Sequence, residues 1–396
     1  MIRALSGGLG HGAEVIGGKA HGLVRLLRLG LPVPPGIVVG AADCREYLAA
    51  GTLPDGLDEA VAALGGRVSV RSGAAVSMPG MMDTLLDVTP PVATAVAAVF
   101  ESWNTPRAVT YRRLHGIADD LGTAVVVQTM VYGDRDGRSG SGVAFSRDPN
   151  TGDPGPYGEV LFGRRGDAVV AGAERTLPIS ALRAREPGVW DSLCAALRTV
   201  ERHYRDVCQV EFTVESGRLW LLQVRPGGLA GRAAMRVAVD LAREGLITRA
   251  EAVARADPDR LPRTPLLAAG IAVLSRGLGA SPGVATGRVA TTAGAAVRMA
   301  AAGPVILVRP TTSPLDLHGL AAAAGVVTAR GGPASHAAVV ARSMGKPAVV
   351  GAPIGELAEG RLVTVDGSAG VVAAGEHTPV ASADDPAETT LRKWAR

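Results

Sequence analysis

Gly331-Gly332-Pro333-Ala334-Ser335-His336-Ala337-Ala338-Val339-Val340-Ala341-Arg342 is the stretch on which the reading of this chain turns. A strand-like run ends at Thr328, two glycines permit a tight turn, and helical spacing follows. Ser335 suits an N-cap, so His336 falls in the first helical turn. Unpaired backbone N–H groups and the positive end of the helix dipole meet there. A phosphate on the imidazole is stabilised at such a place, and a neutral imidazole nitrogen is a competent nucleophile toward phosphorus. Taken alone, a histidine in a first turn is more often structural. The surrounding motif reverses those odds.

Working outward, short strands are expected at 305–308, 325–328, 347–350, 362–365 and 370–373, with helices at 315–323 and 336–344. A second domain therefore starts near Gly279 and runs to 376. Residues 377–396 are polar and patternless, and read as a mobile tail. Upstream, 256–278 is rich in Pro and Arg and reads as a linker. The segment 230–255 is helical, with a capping box Thr248-x-x-Glu251 opening its second helix. Residues 1–225 read as α/β. Helices are expected at 17–29, closed by Gly30, and at 92–103, 106–115 and 188–206. Strands are expected at 33–39, 68–70, 124–131 and 143–145, with a hairpin 209–214/219–224 around Ser216-Gly217. The fold class is a multidomain α/β chain: 1–225, a helical segment and linker 226–278, and a small domain 279–376.

Composition sets bounds. At 396 residues, 47% of them hydrophobic and 20% charged, the chain has material for more than one core. The net charge of +4 is scattered, with no basic stripe interleaved with aromatics, so no nucleic-acid partner is expected. No apolar run reaches the ~18 residues of a membrane span. Cys44, Cys194 and Cys208 lack metal-ligand spacing, and no export signal is evident, which reads as reduced thiols in a cytoplasm. Of the 41 basic residues only Lys19, Lys346 and Lys393 are lysine. Arg does not replace Lys at a tight phosphate site, so each retained lysine is either chance or a site.

The segment Val327–Gly351 resembles the phosphohistidine segment of the pyruvate, phosphate dikinase and phosphoenolpyruvate synthase family. Residues 280–287, ASPGVATG, and 308–314, VRPTTSP, resemble the same swivelling domain. The family more often has Met-Thr where this chain has Pro333-Ala334. The opening Gly17-Gly18-Lys19-Ala20 with 31–36, LPVPPG, is similar to the family's start. Residues 68–74 (VSVRSGA), 77–84 (SMPGMMDT), 102–108 (SWNTPRA) and 142–149 (GVAFSRDP) resemble the dikinase more than the synthase.

The resemblance implies an ATP-grasp fold for residues 1 to about 225, followed by a swivelling β/β/α phosphohistidine domain. His336 carries the phosphoryl group. Lys19 and Arg71 contact ATP phosphates as fixed positive charge. The Ser139-Gly140-Ser141-Gly142 loop covers phosphates through backbone N–H groups, or is a plain turn. Gln128 and Met130 line the adenine pocket, or are ordinary strand residues. Glu211, Gln223 and Arg225 lie on the arms of the hairpin, and with period two, positions 209 and 211 face one way, as do 223 and 225. Glu211 with Gln209 is the expected Mg²⁺ site between ATP phosphates. The family has Asp where Gln209 stands, which removes a charge.

No large barrel for pyruvate or phosphoenolpyruvate is evident, and a helical insertion between the equivalents of Val88 and Phe100 is absent. The leading expectation is a dikinase half. ATP and inorganic phosphate phosphorylate His336, and pyruvate or another acceptor, brought by a separate barrel protein, takes the phosphoryl group. The alternatives are a small-metabolite or antibiotic phosphotransferase and a non-catalytic ATP-binding regulator. A hinged swing about 226–279 is expected, and the family's full-length members often form dimers.

Overall fold

The computed structural model describes residues 2–166, 176–229, 231–257, 265–268, 270–332, 335–381 and 385–396. The chain forms two compact units interleaved along the sequence. One comprises Met1–Ser141, Phe162–Arg164 and Val210–Arg225; the other comprises Gly142–Leu161, Arg165–Gln209 and Pro226–Arg396. These units do not follow the sequential boundaries expected at 225 and 278.

The first unit is built on β1 (Ile2–Ala4), β2 (Gly36–Val39), β3 (Val68–Gly73), β4 (Thr84–Val88) and β5 (Ala124–Thr129), ordered β1-β2-β5-β3-β4. Side chains alternate across the pleat, so one face and the other carry different jobs. Ile37, Val39, Val68, Val70, Val125 and Val127 form the core with Val96, Val99 and Phe100 of the Ala93–Glu101 helix. The opposite face carries Ser69 and Arg71 of β3. The register sets Ser69 opposite Gln128 and Arg71 opposite Val126. Ser69 and Arg71 of β3 and Gln128 of β5 thus share the face opposite this core.

The helix Ala13–Arg28 starts earlier than expected and is kinked at Gly17, whose φ is 78°. Only glycine fits there: a Cβ would lie 1.6 Å from the Gly73 carbonyl oxygen. Gly18 N donates to Ala74 O at 2.9 Å. The Gly17-Gly18 pair is what lets the helix carrying Lys19 touch the end of the strand carrying Arg71.

The chain continues through β6 (Gly140–Arg147), β7 (Pro154–Phe162), β8 (Leu177–Pro178) and the hairpin β9 (Cys208–Glu215)/β10 (Arg218–Pro226). The hairpin turns at Ser216-Gly217 as expected, with φ 49° and 78°. The stretch Ser139–Gly142 is not a free loop. From Gly140 it is a fully buried strand. Its hydroxyls are already engaged: Ser139 Oγ donates to Asp136 at 2.7 Å, and Ser141 Oγ lies 3.2 Å from Thr213 Oγ1. The exposed loop is the segment before it, around Asp134–Arg138.

In the second unit, Thr248 and Glu251 form the expected capping box, at 3.1 and 2.7 Å. After β11 (Pro265–Leu266), an eight-stranded sheet follows: β12 (Val273–Arg276), β13 (Leu278–Ser281), β14 (Val284–Ala290), β15 (Val305–Arg309), β16 (Gly325–Thr328), β17 (Ala348–Val350), β18 (Leu362–Asp366) and β19 (Val371–Ala374). Its order is β12-β19-β18-β14-β15-β16-β17-β13, so the two outermost strands are consecutive in sequence and joined by Gly277 alone. The sheet closes on itself there. A Cβ on Gly277 would come 2.5 Å from Val350 O, which explains the glycine.

Two expectations need correction. The presumed linker 256–278 already contains β11 and β12, so the sheet begins before Gly279; its residues 258–264 and 269 lie outside the described residues. The presumed tail contains the helix Pro386–Trp394, beyond β20 (Val380–Ala381). Leu391 is fully buried and Trp394 partly so, packed with Val207, Met235, Val239 and Leu241. Arg232 pairs with Asp385 at 2.7 Å. The helix is short and mostly polar, so one buried leucine and an N-cap aspartate gave too little pattern to read. Among the described residues no helix is long and apolar enough to cross a membrane.

Candidate functional site

In the first unit Lys19, Arg71, Glu211, Gln223 and Arg225 converge. Arg71 Nη1 donates to Leu222 O at 2.7 Å and Nη2 to Glu211 Oε2 at 3.0 Å. Arg225 Nη2 approaches Glu211 Oε1 at 3.5 Å. With its amide turned to satisfy both partners, the Gln223 oxygen accepts from Arg225 Nε and Nη2 at 2.7 and 2.8 Å. Arg71 is buried and Lys19 half-buried.

The charges act on one another. Burial, then the Arg71 and Arg225 cations, push the Lys19 amine well below its ordinary value, with Glu211 opposing. Burial would raise Glu211, yet Arg225, Arg71 and Lys19 outweigh it and hold the carboxyl below its usual range. Three cations against one carboxylate leave a formal charge of +2, on a cluster that is expensive to keep dry and cationic. A polyphosphate has the negative charge to offset that cost.

The other predicted positions distribute differently. Gln128 lies on the sheet face shared with Arg71 and is 1% exposed. Its Nε2 donates to Pro34 O at 2.9 Å, while Oε1 is buried without a partner. Met130 is buried and its N–H donates to Arg67 O at 2.9 Å. Ser139, Gly140 and Ser141 are committed as described above. Gly142, Gln209 and His336 belong to the second unit. Gln209 is half-buried on β9.

Both Glu211 oxygens face guanidinium groups. Among the described residues no three His, Cys, Asp or Glu side chains group as a metal site would need.

In the second unit the helix predicted over 336–344 forms at His336–Ser343, with Ser335 as N-cap. The Ser335 hydroxyl donates to Gly332 O at 2.8 Å instead of capping the helix. Pro333 and Ala334, where the chain departs from the family pattern, lie outside the described residues. His336 is 7% exposed. Its Nδ1 lies 3.2 Å from Thr312 Oγ1, and its Nε2 is buried with no hydrogen-bond partner among the described residues. Burial lowers the imidazole to about 4, against the opposing charge of Asp316. It is therefore neutral at neutral pH. An orphaned buried ring nitrogen costs about 1–3 kcal/mol, and such atoms in native proteins call for a reason.

Thr312 is placed by its own turn. Ser313 and Asp316 form a capping box: Ser313 N donates to Asp316 Oδ2 at 2.9 Å, and Leu315 N to Ser313 Oγ at 3.3 Å. Arg309 Nε stands 3.5 Å from Asp316 Oδ1. The sequence shows this turn as Ser313-Pro314-x-Asp316, but not that its neighbour Thr312 meets the imidazole. Glu159 was also missed. A Cβ on Gly332 would sit 2.1 Å from its carboxylate, which places Glu159 directly against the glycine turn ahead of His336. Arg342, on the His336 helix, donates to Ala280 O at 2.8 Å and lies 5.9 Å over the Phe145 ring.

Comparison with known proteins fits these two sites. Residues 58–177 match the family model described as pyruvate phosphate dikinase, AMP/ATP-binding domain. Residues 301–370 match the one described as PEP-utilising enzyme, mobile domain. The pyruvate, phosphate dikinase of Rhizobium meliloti (strain 1021) is 36% identical, over 91% of this chain and 56% of its own length. That of Clostridium symbiosum is 34% identical, over 92% of this chain and 56% of its own. The chloroplastic pyruvate, phosphate dikinase 1 of Oryza sativa subsp. japonica is 36% identical, over 85% and 48%. The chain spans about half the length of the curated relatives it matches. Over that span, with Arg71 inside one matched segment and His336 inside the other, the chain belongs to the pyruvate, phosphate dikinase family.

Proposed function

We propose that this chain carries the nucleotide-binding and phosphohistidine steps of an ATP-dependent dikinase. The Nε2 lone pair of His336 attacks the β-phosphorus of ATP, and the bond to the AMP oxygen breaks. Inorganic phosphate then takes the terminal phosphoryl group, so AMP and pyrophosphate leave and one phosphoryl group stays on nitrogen. Pyruvate, or another small acceptor held by a separate barrel protein, removes it. The observation that carries this reading is the bare, buried Nε2 of a neutral His336, with Nδ1 engaged by Thr312. The Nδ1–H tautomer donates to Thr312 and leaves the Nε2 lone pair free.

The cationic cluster of Lys19, Arg71 and Arg225 is the phosphate site of an ATP-grasp domain in this reading, spanning residues 1–225. Gln128 and Met130 border the adenine. The domain carrying His336, whose sheet begins at β12, swings on the chain that precedes it, because an imidazole as enclosed as His336 must be uncovered before it reaches nucleotide. Magnesium would be held by Glu211 and Gln209 together with the nucleotide's phosphate oxygens, and would supply positive charge to the transferring phosphoryl group. The free thiols of Cys44, Cys194 and Cys208 support a cytoplasmic setting. A homodimer is the assembly we expect. A non-catalytic nucleotide-binding regulator is the second reading, favoured by the pairing of both Glu211 oxygens with arginine.

AMP release tests the proposal. With ATP, Mg²⁺ and phosphate, the chain should release about one AMP per chain without acceptor, and His336→Asn should release none. Steady ADP release unaffected by His336→Asn would refute it.

A further inference from the structure

Lys346 is one of only three lysines, and the cationic cluster does not use it. Its Nζ donates to Leu320 O at 3.0 Å, to Ala323 O at 2.5 Å and to Ala321 O. These carbonyls lie at the end of the helix Leu317–Ala322, where no intrahelical donor reaches them. A cation there also meets the negative end of the helix dipole. Three acceptors converging on a point suit the three donors of an ammonium; a guanidinium spreads its donors in a planar fork. Lys346 N donates to Ala341 O at 2.9 Å, which ties the residue to the end of the His336 helix as well.

The contacts close a ring. From Lys346 the chain runs back through the helix to His336, whose Nδ1 meets Thr312. From Thr312 it runs through the Ser313–Asp316 turn and the next helix to the carbonyls that hold Nζ. Only two joints in this ring are non-covalent. We propose that Lys346 is a positioning residue for His336: by pinning the C-terminal ends of two helices, it sets the register at their N-terminal ends, where Thr312 holds the imidazole. The purpose of this device rests on the phosphoryl-acceptor reading of His336, but its existence is measured without nucleotide.

The test uses the full chain labelled with ¹⁵N-histidine, the His336 signals being identified by their loss in His336→Asn. The parent should show a single Nδ1–H tautomer with an acid titration midpoint. Lys346→Met should give mixed tautomers and raise the midpoint by roughly one pH unit or more as water enters. Lys346→Arg should move both readouts in the same direction by less, and decides alone if the Met variant does not fold. In a Thr312→Val background the Lys346 substitutions should add nothing, because the ring is already open. Unchanged His336 shifts and midpoint beside a lowered melting temperature would show a plain helix cap and overturn the proposal. Additive effects with Thr312→Val would overturn it too. Failure of the phosphoryl-acceptor reading would appear instead in the AMP assay.

Discussion

Thr312 Oγ1 lies 3.2 Å from Nδ1 of His336, and this contact decides which ring nitrogen is left bare. Thr312→Val keeps the shape and removes the oxygen. A lost hydrogen bond of about 1–1.5 kcal/mol corresponds to roughly a tenfold change. The initial rate of His336 phosphorylation should fall about tenfold while nucleotide binding, read by calorimetry, is unchanged. An unaltered rate would mean that Thr312 does not orient the ring.

The same imidazole predicts a pH effect on stability. Its folded pKa is lowered from 6.5 to about 4 by burial. Between those values the unfolded chain binds a proton that the folded chain does not. Stability is therefore full above the unfolded pKa and is lost as pH falls through 6.5 toward 4. The loss is about 2 kcal/mol at pH 5. Denaturant unfolding at pH 7 and pH 5 should show it, and His336→Asn should remove that part of the difference.

Glu211 is the counter-charge between Arg71 and Arg225. Glu211→Gln should cost about 1–3 kcal/mol of stability, because the guanidinium groups lose an ionic partner. ATP should restore part of it, since phosphates replace the missing charge. Melting curves with and without ATP check both effects. A nucleotide-induced shift smaller than that of the parent would argue against a phosphate site here.

Gly17→Ala places a Cβ 1.6 Å from Gly73 O at a φ of 78°. Backbone strain and overlap together should cost about 2–4 kcal/mol. The helix must draw back from β3, so ATP affinity should fall as well. Gly30→Ala, also at positive φ but with open space around it, should cost less and leave affinity intact.

Much of this was legible in sequence, for identifiable reasons. The strands Val125–Val127 and Val305–Val308 are apolar runs bounded by turn residues, and Thr248-x-x-Glu251 is a local hydrogen-bond pattern. Lys19, Arg71, Glu211, Gln223 and Arg225 were all named beforehand, although their convergence is tertiary. What escaped was long-range. Glu159 against Gly332 and Thr312 against His336 join segments with no local signature. Ser139–Gly142 has the composition of a turn, yet from Gly140 onward it is a buried strand. Lys346 was noticed for being lysine; that it caps a neighbouring helix depends on where that helix ends. The helix Pro386–Trp394 has one strongly buried anchor, Leu391, and composition alone hid it.

The central claim is that His336 keeps the middle phosphoryl group of ATP. The direct measurement supplies ATP labelled separately at the β and γ phosphates, with Mg²⁺ and inorganic phosphate, and follows acid-labile label on the chain. The account predicts β label retained on His336, γ label leaving in pyrophosphate, and neither retained in His336→Asn. Stable γ label on the histidine without β label, or no label at all, would contradict it.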